Sequence, residues 1–445
     1  MPRRSILDRL GLQRRELRAW ALYDVANSAW TTTVMMIFPL FFVRVPASGL
    51  ATELARSRFA FATSLSVILV GFLGPFLGAV ADHRGAKKTF LAAFLALGAT
   101  ATSAMYLLTE GRWVLALATF VVGNVGITST LAFYNSLLPS IAASDEVDRV
   151  STAGFALGYL GGGLLLALNG LMIANPERFF LTSATQATRL SFLSVAVWWV
   201  LFSIPLFRRV PEPKRRLEAD EQGGESLLQV ALRRLARTIR ELRHHKDAGF
   251  LLLAFLIYND AVNTIIRMAT TFGDEIGISE GQMIGTLVVV QFVGVPFAFA
   301  FGMLAERVGV KNSLFLALAV YCAISVYAFA LRTPLQFLIL GCLVGTVQGG
   351  VQGLSRSLFA TMIPRHKAGE MFGFFGAFDR FGGAIGSGLF GVMLTLTGSS
   401  RPAILALVVF FVVGALLLSR VDVDRGRLLA REAEAAAHEA PAVGV

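Results

Sequence analysis

The sequence predicts an all-α integral membrane protein with twelve transmembrane helices in two pseudo-symmetric six-helix bundles. Of its 445 residues, 55% are hydrophobic and 16% are charged, whereas soluble domains carry about 25% charged residues. Apolar runs of about 20 residues recur from Trp20 to Leu418, and each is long enough to cross a bilayer as a helix. Polar motifs of the first half return at matching places in the second half, which indicates a duplicated bundle.

The apolar runs divide evenly around a charged central segment. We place the spans at 19–44, 57–81, 89–109, 113–138, 151–174 and 189–208, and then at 248–272, 282–305, 313–331, 335–362, 369–396 and 402–419. The resulting parts are an N-terminal bundle, a cytoplasmic linker, a C-terminal bundle and a cytoplasmic tail (1–209, 210–247, 248–420 and 421–445). We expect the charged, alanine-rich tail to be a frayed helix without chemistry.

The linker contains an amphipathic pattern. Leucine and isoleucine recur at 4-3-4-3 spacing from Leu228 to Leu242, with arginines on the other faces. This pattern predicts a basic amphipathic helix suited to the inner membrane surface. A helix that merely caps the bundle is an equally good interpretation.

The basic residues follow membrane topology rather than nucleic-acid binding. The net charge is +11, and most of the 40 lysines and arginines lie in the termini and loops that an even number of spans puts on one side. The positive-inside rule therefore places both termini in the cytoplasm. The N-terminus lacks a short apolar stretch with a small-residue cleavage site, so we predict no signal peptide. Cys322 and Cys342 lie within spans, where we expect inert thiols.

A polar motif interrupts the first span and returns in the seventh. Asp24 and Asn27 share a helix face in span one, and Asp260 and Asn263 repeat their spacing in span seven. A carboxylate within a span costs about 2.5–3.5 kcal/mol, so it is expected to face a polar cavity. Both carboxylates are candidate coupling groups, because burial brings proton exchange by a carboxyl closer to neutral pH. Asp24 could instead complement the dipole of its helix.

A loop motif of the form Gly-x-x-x-acid, followed by Gly and Lys, ends the second span of each half. Its members are Gly78, Asp82, Gly85, Lys87 and Lys88 in the first half, and Glu306 and Lys311 in the second. Two parallel halves of six spans with matching motifs are typical of one architecture of secondary transporters.

The first loop motif, placed between spans two and three, resembles that of the major facilitator superfamily. His83 departs from it, because a permanent cation is usual at that position. The resemblance implies a conformational role, in which the acid and the cations latch the cytoplasmic ends of the halves in the outward-open state. It assigns this role to Asp82 and Lys87, and less strongly to Glu306 and Lys311 of the second-half motif.

Four segments narrow the resemblance. Trp20–Ser28, Phe155–Gly163, Tyr258–Asp260 and Leu354–Phe359 are similar to the branch of autophagy-linked vacuolar amino-acid effluxers of fungi and their bacterial relatives. This resemblance implies a secondary active transporter of a small solute such as an amino acid or another zwitterion. We expect it in a bacterial inner (plasma) membrane.

Spans one, four, seven and ten line the central cavity in this architecture, so their polar residues and those of span eleven are the candidate substrate and coupling residues. They are Asp24, Asn27, Asn135, Asp260, Asn263, Arg267, Gln352, Arg356, Asp379 and Arg380. In a zwitterion site, Asp260 would meet the ammonium and Arg356 would bind the carboxylate bidentately. Arg356 and Asp379 could instead neutralise each other across spans ten and eleven. The amides could simply form hydrogen bonds between helices.

The sequence carries no signature of ATP-driven or enzymatic chemistry. It has no Gly-x-x-x-x-Gly-Lys-Ser/Thr loop, no Gly-x-Ser-x-Gly motif and no metal-binding spacing of His and Cys. We therefore expect no enzyme activity, cofactor or metal. The expected partners are a small-molecule substrate, a coupling proton or cation and the lipid bilayer, without nucleic acid, and we expect a monomer. The alternatives are a sugar–cation symporter and a non-transporting membrane sensor on the same fold.

Overall fold

A computed structural model describes residues 6–213, 246–275, 277–397 and 401–439. Several side chains within these ranges, among them that of Arg267, lie outside the description. The amphipathic helix predicted within 228–242 also lies outside the described residues. The described residues form helices joined by turns and short loops, and they contain no strand.

The first half contains six long helices, preceded by a single helical turn at Ile6–Arg9. They are α1 (Arg15–Arg44), α2 (Thr52–Arg84), α3 (Lys87–Leu107), α4 (Trp113–Ile141), α5 (Val147–Ala174) and α6 (Ala184–Arg209). A π-helical turn at Trp30–Val34 interrupts α1 directly after the polar motif that begins at Asp24. Such turns widen the backbone locally and often mark functional sites in helices.

The second half also contains six long helices, and a further helix follows them. They are α7 (Lys246–Glu275), α8 (Glu280–Val308), α9 (Val310–Phe329), α10 (Pro334–Thr361), α11 (Ala368–Thr397), α12 (Arg401–Ser419) and α13 (Val423–Glu439). Capping boxes begin α8, at Ser279 and Gln282, and α10, at Thr333 and Gln336. Each box satisfies backbone N–H groups that the first helical turn leaves unpaired.

Among the described residues, 11 helices are long and apolar enough to cross a membrane. They include every predicted span except α11, a helix of 30 residues. The all-α membrane architecture is therefore confirmed, and the count of twelve spans stays a prediction.

The contacts between helices repeat from one half to the other. In the first half α1 packs on α5 and α6, and α3 packs on α4; in the second half α7 packs on α11 and α12, and α9 packs on α10. The halves meet at two corresponding pairs, α2 with α11 and α5 with α8. This correspondence agrees with the predicted pseudo-symmetry of two bundles.

Glycines allow the α2–α11 contact to bring two backbones together. A Cβ atom on Gly78 would lie 2.2 Å from the carbonyl oxygen of Gly369, and one on Gly373 would lie 2.6 Å from the carbonyl oxygen of Gly74. Small residues at such crossings are a common device for close packing of helices in membranes. The close approach positions the start of α11 directly beside the loop motif that follows Gly78.

We call the end of the bundle that carries Gly85 the motif face. Helix α13 lies at the motif face, where Arg425 donates from Nε and Nη2 to Asp247 at 2.6 and 2.8 Å. The backbone N–H of Arg365 donates to Glu434 at 2.9 Å. In the described part of the tail, Val423–Glu439 therefore form a regular helix of 17 residues that is bonded to the bundle, which contradicts the predicted frayed helix.

Candidate functional site

A buried ion pair joins the two halves near the motif face. Arg356 of α10 donates from Nη2 to the Asp24 carboxylate of α1 at 3.2 Å, and the two side chains are only 4% and 6% exposed. Asp24 also accepts hydrogen bonds from Tyr134 at 2.9 Å and from Asn27 at 3.1 Å. When one partner of a buried ion pair is removed, the remaining unpaired charge costs about 3–5 kcal/mol.

The guanidinium of Arg356 also binds uncharged groups of the first half. Nε donates to Ser151 Oγ at 2.8 Å, Nη2 to the Ser151 carbonyl oxygen at 2.7 Å, and Nη1 to Asn135 Oδ1 at 3.3 Å. The guanidinium carbon lies 4.4 Å from the ring centroid of Phe155 and 4.8 Å from that of Trp20. Aromatic faces stabilise a desolvated cation in this arrangement. The guanidinium of Arg356 is therefore bound on several sides by residues of the opposite half.

Gly154 of α5 makes room for this ion pair. A Cβ atom at this position would lie 2.3 Å from Asp24 Oδ2 and 3.0 Å from Arg356 Nη2. Gly158 and Gly162 let α5 approach α1, since an added Cβ at either position would meet Ser28 of α1. At Gly154 the space is filled by the charged side chains themselves.

Arg356 pairs with Asp24 and not with Asp379, the partner that the sequence offers as an alternative. Asp379 accepts a hydrogen bond from Asn259 at 2.5 Å, within the second half. The alternative in which Asp24 only complements its helix dipole also fails to describe the site, since its partners Tyr134 and Arg356 lie on other helices.

The acid of the loop motif binds the first turn of α11 in the opposite half. Asp82 accepts from the backbone N–H groups of Gly369 at 3.1 Å and Glu370 at 2.9 Å. Lys87 Nζ lies 2.9 Å from Asp82 Oδ1, and both side chains are buried. Helix N-termini attract anions because their first N–H groups lack partners in the helix. The structure thus brings Asp82 and Lys87 together and sets Asp82 against α11.

The remaining motif residues fix the loop within the first half. Gly85 has a φ of 60° and ends α2 in the left-handed region that glycine adopts without strain. Lys88 Nζ donates to the carbonyl oxygens of Phe207 at 2.9 Å and Val210 at 2.6 Å, at the end of α6. Its backbone N–H donates to Glu212 at 2.9 Å. Burial raises the pKa of Glu212, and the hydrogen bond that its carboxylate accepts from the backbone N–H of Lys88 opposes that effect.

The two motif residues of the second half have separate roles. Glu306, near the end of α8, accepts from Arg149 in the first turn of α5 at 3.2 Å and so connects the halves. Lys311 donates to the carbonyl oxygens of Ser419 at 2.9 Å and Val421 at 2.7 Å, at the end of α12. By its spacing from the acid Lys311 corresponds to Lys87, but its contacts repeat those of Lys88.

Asp260 lies deeper in the bundle, fully buried within the second half. Its Oδ2 accepts from the backbone N–H of Gly386 of α11 at 2.6 Å. Asp260 is about 21 Å from the start of α7, whereas Arg356 is about 8 Å from the end of α10, by a rise of 1.5 Å per residue. The two residues therefore lie at different depths, and the predicted zwitterion site between Asp260 and Arg356 is not formed in this conformation.

The remaining predicted site residues differ in their burial. Asn263, Gln352 and Arg380 are half-buried, and the side chain of Arg267 lies outside the described residues. Along the polar face of α1, exposure rises from Asn27, which is 5% exposed, to Thr31, which is exposed. This face of α1 therefore becomes more exposed with distance from the motif face.

Sequence reasoning missed Ser151 and Tyr134, which complete the binding of Arg356 and Asp24. A serine at the start of a span and a tyrosine within one follow no pattern that marks them. Trp20 and Phe155 entered the sequence analysis only as parts of the family resemblance. Their contact with Arg356 depends on the crossing of α1, α5 and α10, which sequence spacing does not reveal.

Known sequences that are similar to this chain belong to one family. The family described as "Vacuole effluxer Atg22 like" matches residues 12–431. An uncharacterized MFS-type transporter, YxiO of Bacillus subtilis (strain 168), is 34% identical over 411 residues, which cover 92% of this chain and 95% of the relative. Autophagy-related protein 22 of Yarrowia lipolytica is 27% identical over 314 residues, which cover 64% of this chain and 52% of the fungal protein.

Solved structures show the same fold at low sequence identity. The proton:xylose symporter XylE superposes with a TM-score of 0.69 at 16% identity, over 92% of this chain and 95% of that chain. The human organic anion transporter MFSD10 gives 0.68 at 16% identity, over 91% and 99%. FucP in its outward conformation gives 0.62 at 15% identity, over 92% and 100%.

These similarities agree with the two bundles, the loop motif and the ion pair between the halves. At such identities the solved structures establish the fold alone, whereas the family match extends over nearly the whole chain. The chain is an integral membrane transporter of the major facilitator superfamily and belongs to its Atg22-like vacuole effluxer family, together with bacterial relatives.

Proposed function

We propose that this protein is a secondary active transporter that moves a small amino acid or a related zwitterion by proton-coupled alternating access. The observation that carries the proposal is the buried Asp24–Arg356 pair, formed between the halves at 3.2 Å. Two further polar contacts, Asp82 with the start of α11 and Arg149 with Glu306, join the halves at the same face. Such contacts can be replaced by water when the halves separate.

The charges of the ion pair suit a zwitterion. Once the halves part, Arg356 and Asp24 each lose a partner, and a bound amino acid supplies both replacements. Its carboxylate would bind the planar guanidinium of Arg356, which stays charged when desolvated. Its ammonium would bind Asp24, rather than Asp260 as the sequence analysis expects. Trp20 and Phe155 would line the same site, because both already contact Arg356.

Asp260 is the proposed proton-coupling residue. It is fully buried in the second half, and one carboxylate oxygen accepts from the backbone of Gly386 at 2.6 Å. An ionisable group inside a membrane bundle is a default candidate for ion transfer. Its placement away from Asp24 and Arg356 allows the proton and the substrate to occupy separate sites.

We further propose that the protein is a monomer in the bacterial inner membrane, with the motif face and both termini in the cytoplasm. The concentration of lysine and arginine in the loops of that face supports this orientation. The conformation described here, closed at the motif face, would then be outward-open, and the Asp82 contacts with α11 would act as its latch.

The test is ligand binding by the full-length protein, measured as a thermal shift against a panel of amino acids and sugars. We expect amino acids to stabilise the wild type and Arg356→Lys to weaken this effect. Arg356→Gln should abolish it, because a neutral side chain cannot pair with a carboxylate. Binding of every amino acid to folded Arg356→Gln protein would refute the zwitterion site. Stabilisation by sugars alone would favour a sugar–cation symporter.

A further inference from the structure

The ring of Tyr159, from α5 in the first half, lies between two helices of the second half. A Cβ atom on Gly294 of α8 would lie 2.9 Å from its Cδ2, and one on Gly349 of α10 would lie 2.7 Å from its Cε2. Ala298 of α8 belongs to the same buried cluster. We call the space between Gly294 and Gly349 the glycine socket. Only glycine at both positions leaves the socket wide enough for this ring.

The hydroxyl of Tyr159 is buried and finds no hydrogen-bond partner among the described residues. A buried hydroxyl without a partner disfavours the conformation that buries it, by about tenfold or more in an equilibrium constant. Tyr159 lies about 18 Å along α5 from its start, by a rise of 1.5 Å per residue. At that depth its hydroxyl would reach the water between the halves once they part at the motif face.

We propose that Tyr159 is a positioning residue of the transport cycle and acts in two opposed ways. Its ring in the glycine socket stabilises the conformation closed at the motif face, and its unpartnered hydroxyl destabilises that conformation. This inference rests on the alternating-access cycle proposed above. It assigns part of the conformational balance to an uncharged contact between α5, α8 and α10, separate from the ion pair of Arg356.

Two conservative substitutions should therefore act in opposite directions. Tyr159→Phe keeps the ring and removes the hydroxyl, so it should favour the closed conformation. Gly349→Ala puts a methyl group 2.7 Å from Cε2 of the ring and 2.9 Å from the Cβ atom of Ala298, so the ring must move and α8 must shift slightly. The displaced ring leaves the socket, so Gly349→Ala should favour opening at the motif face.

Two reporter positions distinguish the conformations in membrane vesicles. Thr31→Cys is exposed in this structure, and Thr152→Cys is buried at the α5–α8 contact beside Gly302. Each reporter is placed in full-length protein that carries Cys322→Ala and Cys342→Ala, and the rate of maleimide labelling is measured. We expect Tyr159→Phe to slow labelling at Thr152→Cys by about tenfold, and Gly349→Ala to accelerate it by about the same factor.

Two control variants match these changes without affecting the contact between the halves. Thr33→Val removes another buried hydroxyl without a partner among the described residues, in the π-helical turn of α1 that packs on α5 and α6 of the first half. It should raise the Tm and leave labelling unchanged. Gly170→Ala adds a methyl group on α5 that meets nothing within 4 Å beyond its own stretch of helix.

The outcomes separate this inference from the proposed function. If Tyr159→Phe and Gly349→Ala change the labelling rate in the same direction, or change it no more than the controls do, the proposed role of Tyr159 is wrong. If Gly349→Ala does not fold, Gly294→Ala tests the same socket. A wild type that reacts at Thr31→Cys but never at Thr152→Cys, with or without amino acids, would overturn alternating access and this inference with it. A wild type that reacts at both, with opposite shifts in the variants, supports both.

Discussion

Loss of either charge in the Asp24–Arg356 pair should open the motif face. Arg356→Gln would leave the Asp24 carboxylate buried with two neutral donors, Tyr134 and Asn27. Asp24→Asn would leave the guanidinium buried with the uncharged oxygens of Ser151 and Asn135. In the open conformation water would reach the remaining charge, so each substitution penalises only the closed conformation.

The size of the effect follows from the burial of both groups. Removing one member of a buried ion pair costs about 3–5 kcal/mol. We expect the lower end, about 3 kcal/mol, because neutral hydrogen bonds to the remaining charge persist in both variants. Since about 1.4 kcal/mol corresponds to a factor of ten, the ratio of open to closed molecules should rise by roughly two orders of magnitude.

The assay is maleimide labelling at the Thr152→Cys and Thr31→Cys reporters, with Arg56→Gln as the control. Arg56 lies 3.7 Å from Glu53 in an exposed pair, with side chains 68% and 88% accessible, and such pairs are worth about 0–1 kcal/mol. The double variant Asp24→Asn, Arg356→Gln buries no unpaired charge and should recover part of the closed population. If the effect of the double variant equals the sum of the two single effects to within about 0.5 kcal/mol, the two residues are not coupled.

Three further predictions concern other parts of the molecule. Asp82→Asn should speed labelling at Thr152→Cys by roughly tenfold, because hydrogen bonds to a charged group contribute about 1.5–3 kcal/mol; unchanged labelling would show that the loop contact does not hold the closed state. Asp260→Asn should abolish substrate accumulation driven by a pH gradient in vesicles while leaving substrate exchange intact, and pH-driven accumulation at the wild-type level would contradict its coupling role. Cysteines introduced at Ser226 and Thr52 should react with impermeant maleimide from opposite sides of the membrane; reaction from one side would contradict the topology.

The sequence predicts the helices and their duplication well because both depend on local chemistry. Long apolar runs can satisfy their backbone groups in lipid only as helices, so their number and order follow from composition. The repeat of the polar motif at Asp24 and Asp260 likewise follows from comparison of the halves. Helix ends are predicted less well, since α1 begins at Arg15 and α2 at Thr52, in polar sequence outside the apolar runs.

The pairing of charges could not be predicted from the sequence. Asp24 and Arg356 are 332 residues apart, and Asp379, which lies nearer in the chain, is the more obvious partner for Arg356. The spacing of polar residues shows which face of a helix they occupy, but it does not give the crossing of helices from different halves. The contact of Asp82 with α11 is hidden for another reason, because its partners are backbone N–H groups that every sequence carries.

The chemistry of the closed face explains how a small ligand could control a large movement. A buried ion pair gains little over its hydrated partners, because the cost of desolvation offsets much of the attraction. The closed and open conformations can therefore differ little in free energy, although several strong contacts separate them. A ligand shifts such an equilibrium only by its difference in affinity for the two conformations. The proposed zwitterion would meet this condition at Asp24 and Arg356, since their charges pair with each other when the face is closed and would become available to the ligand when it opens.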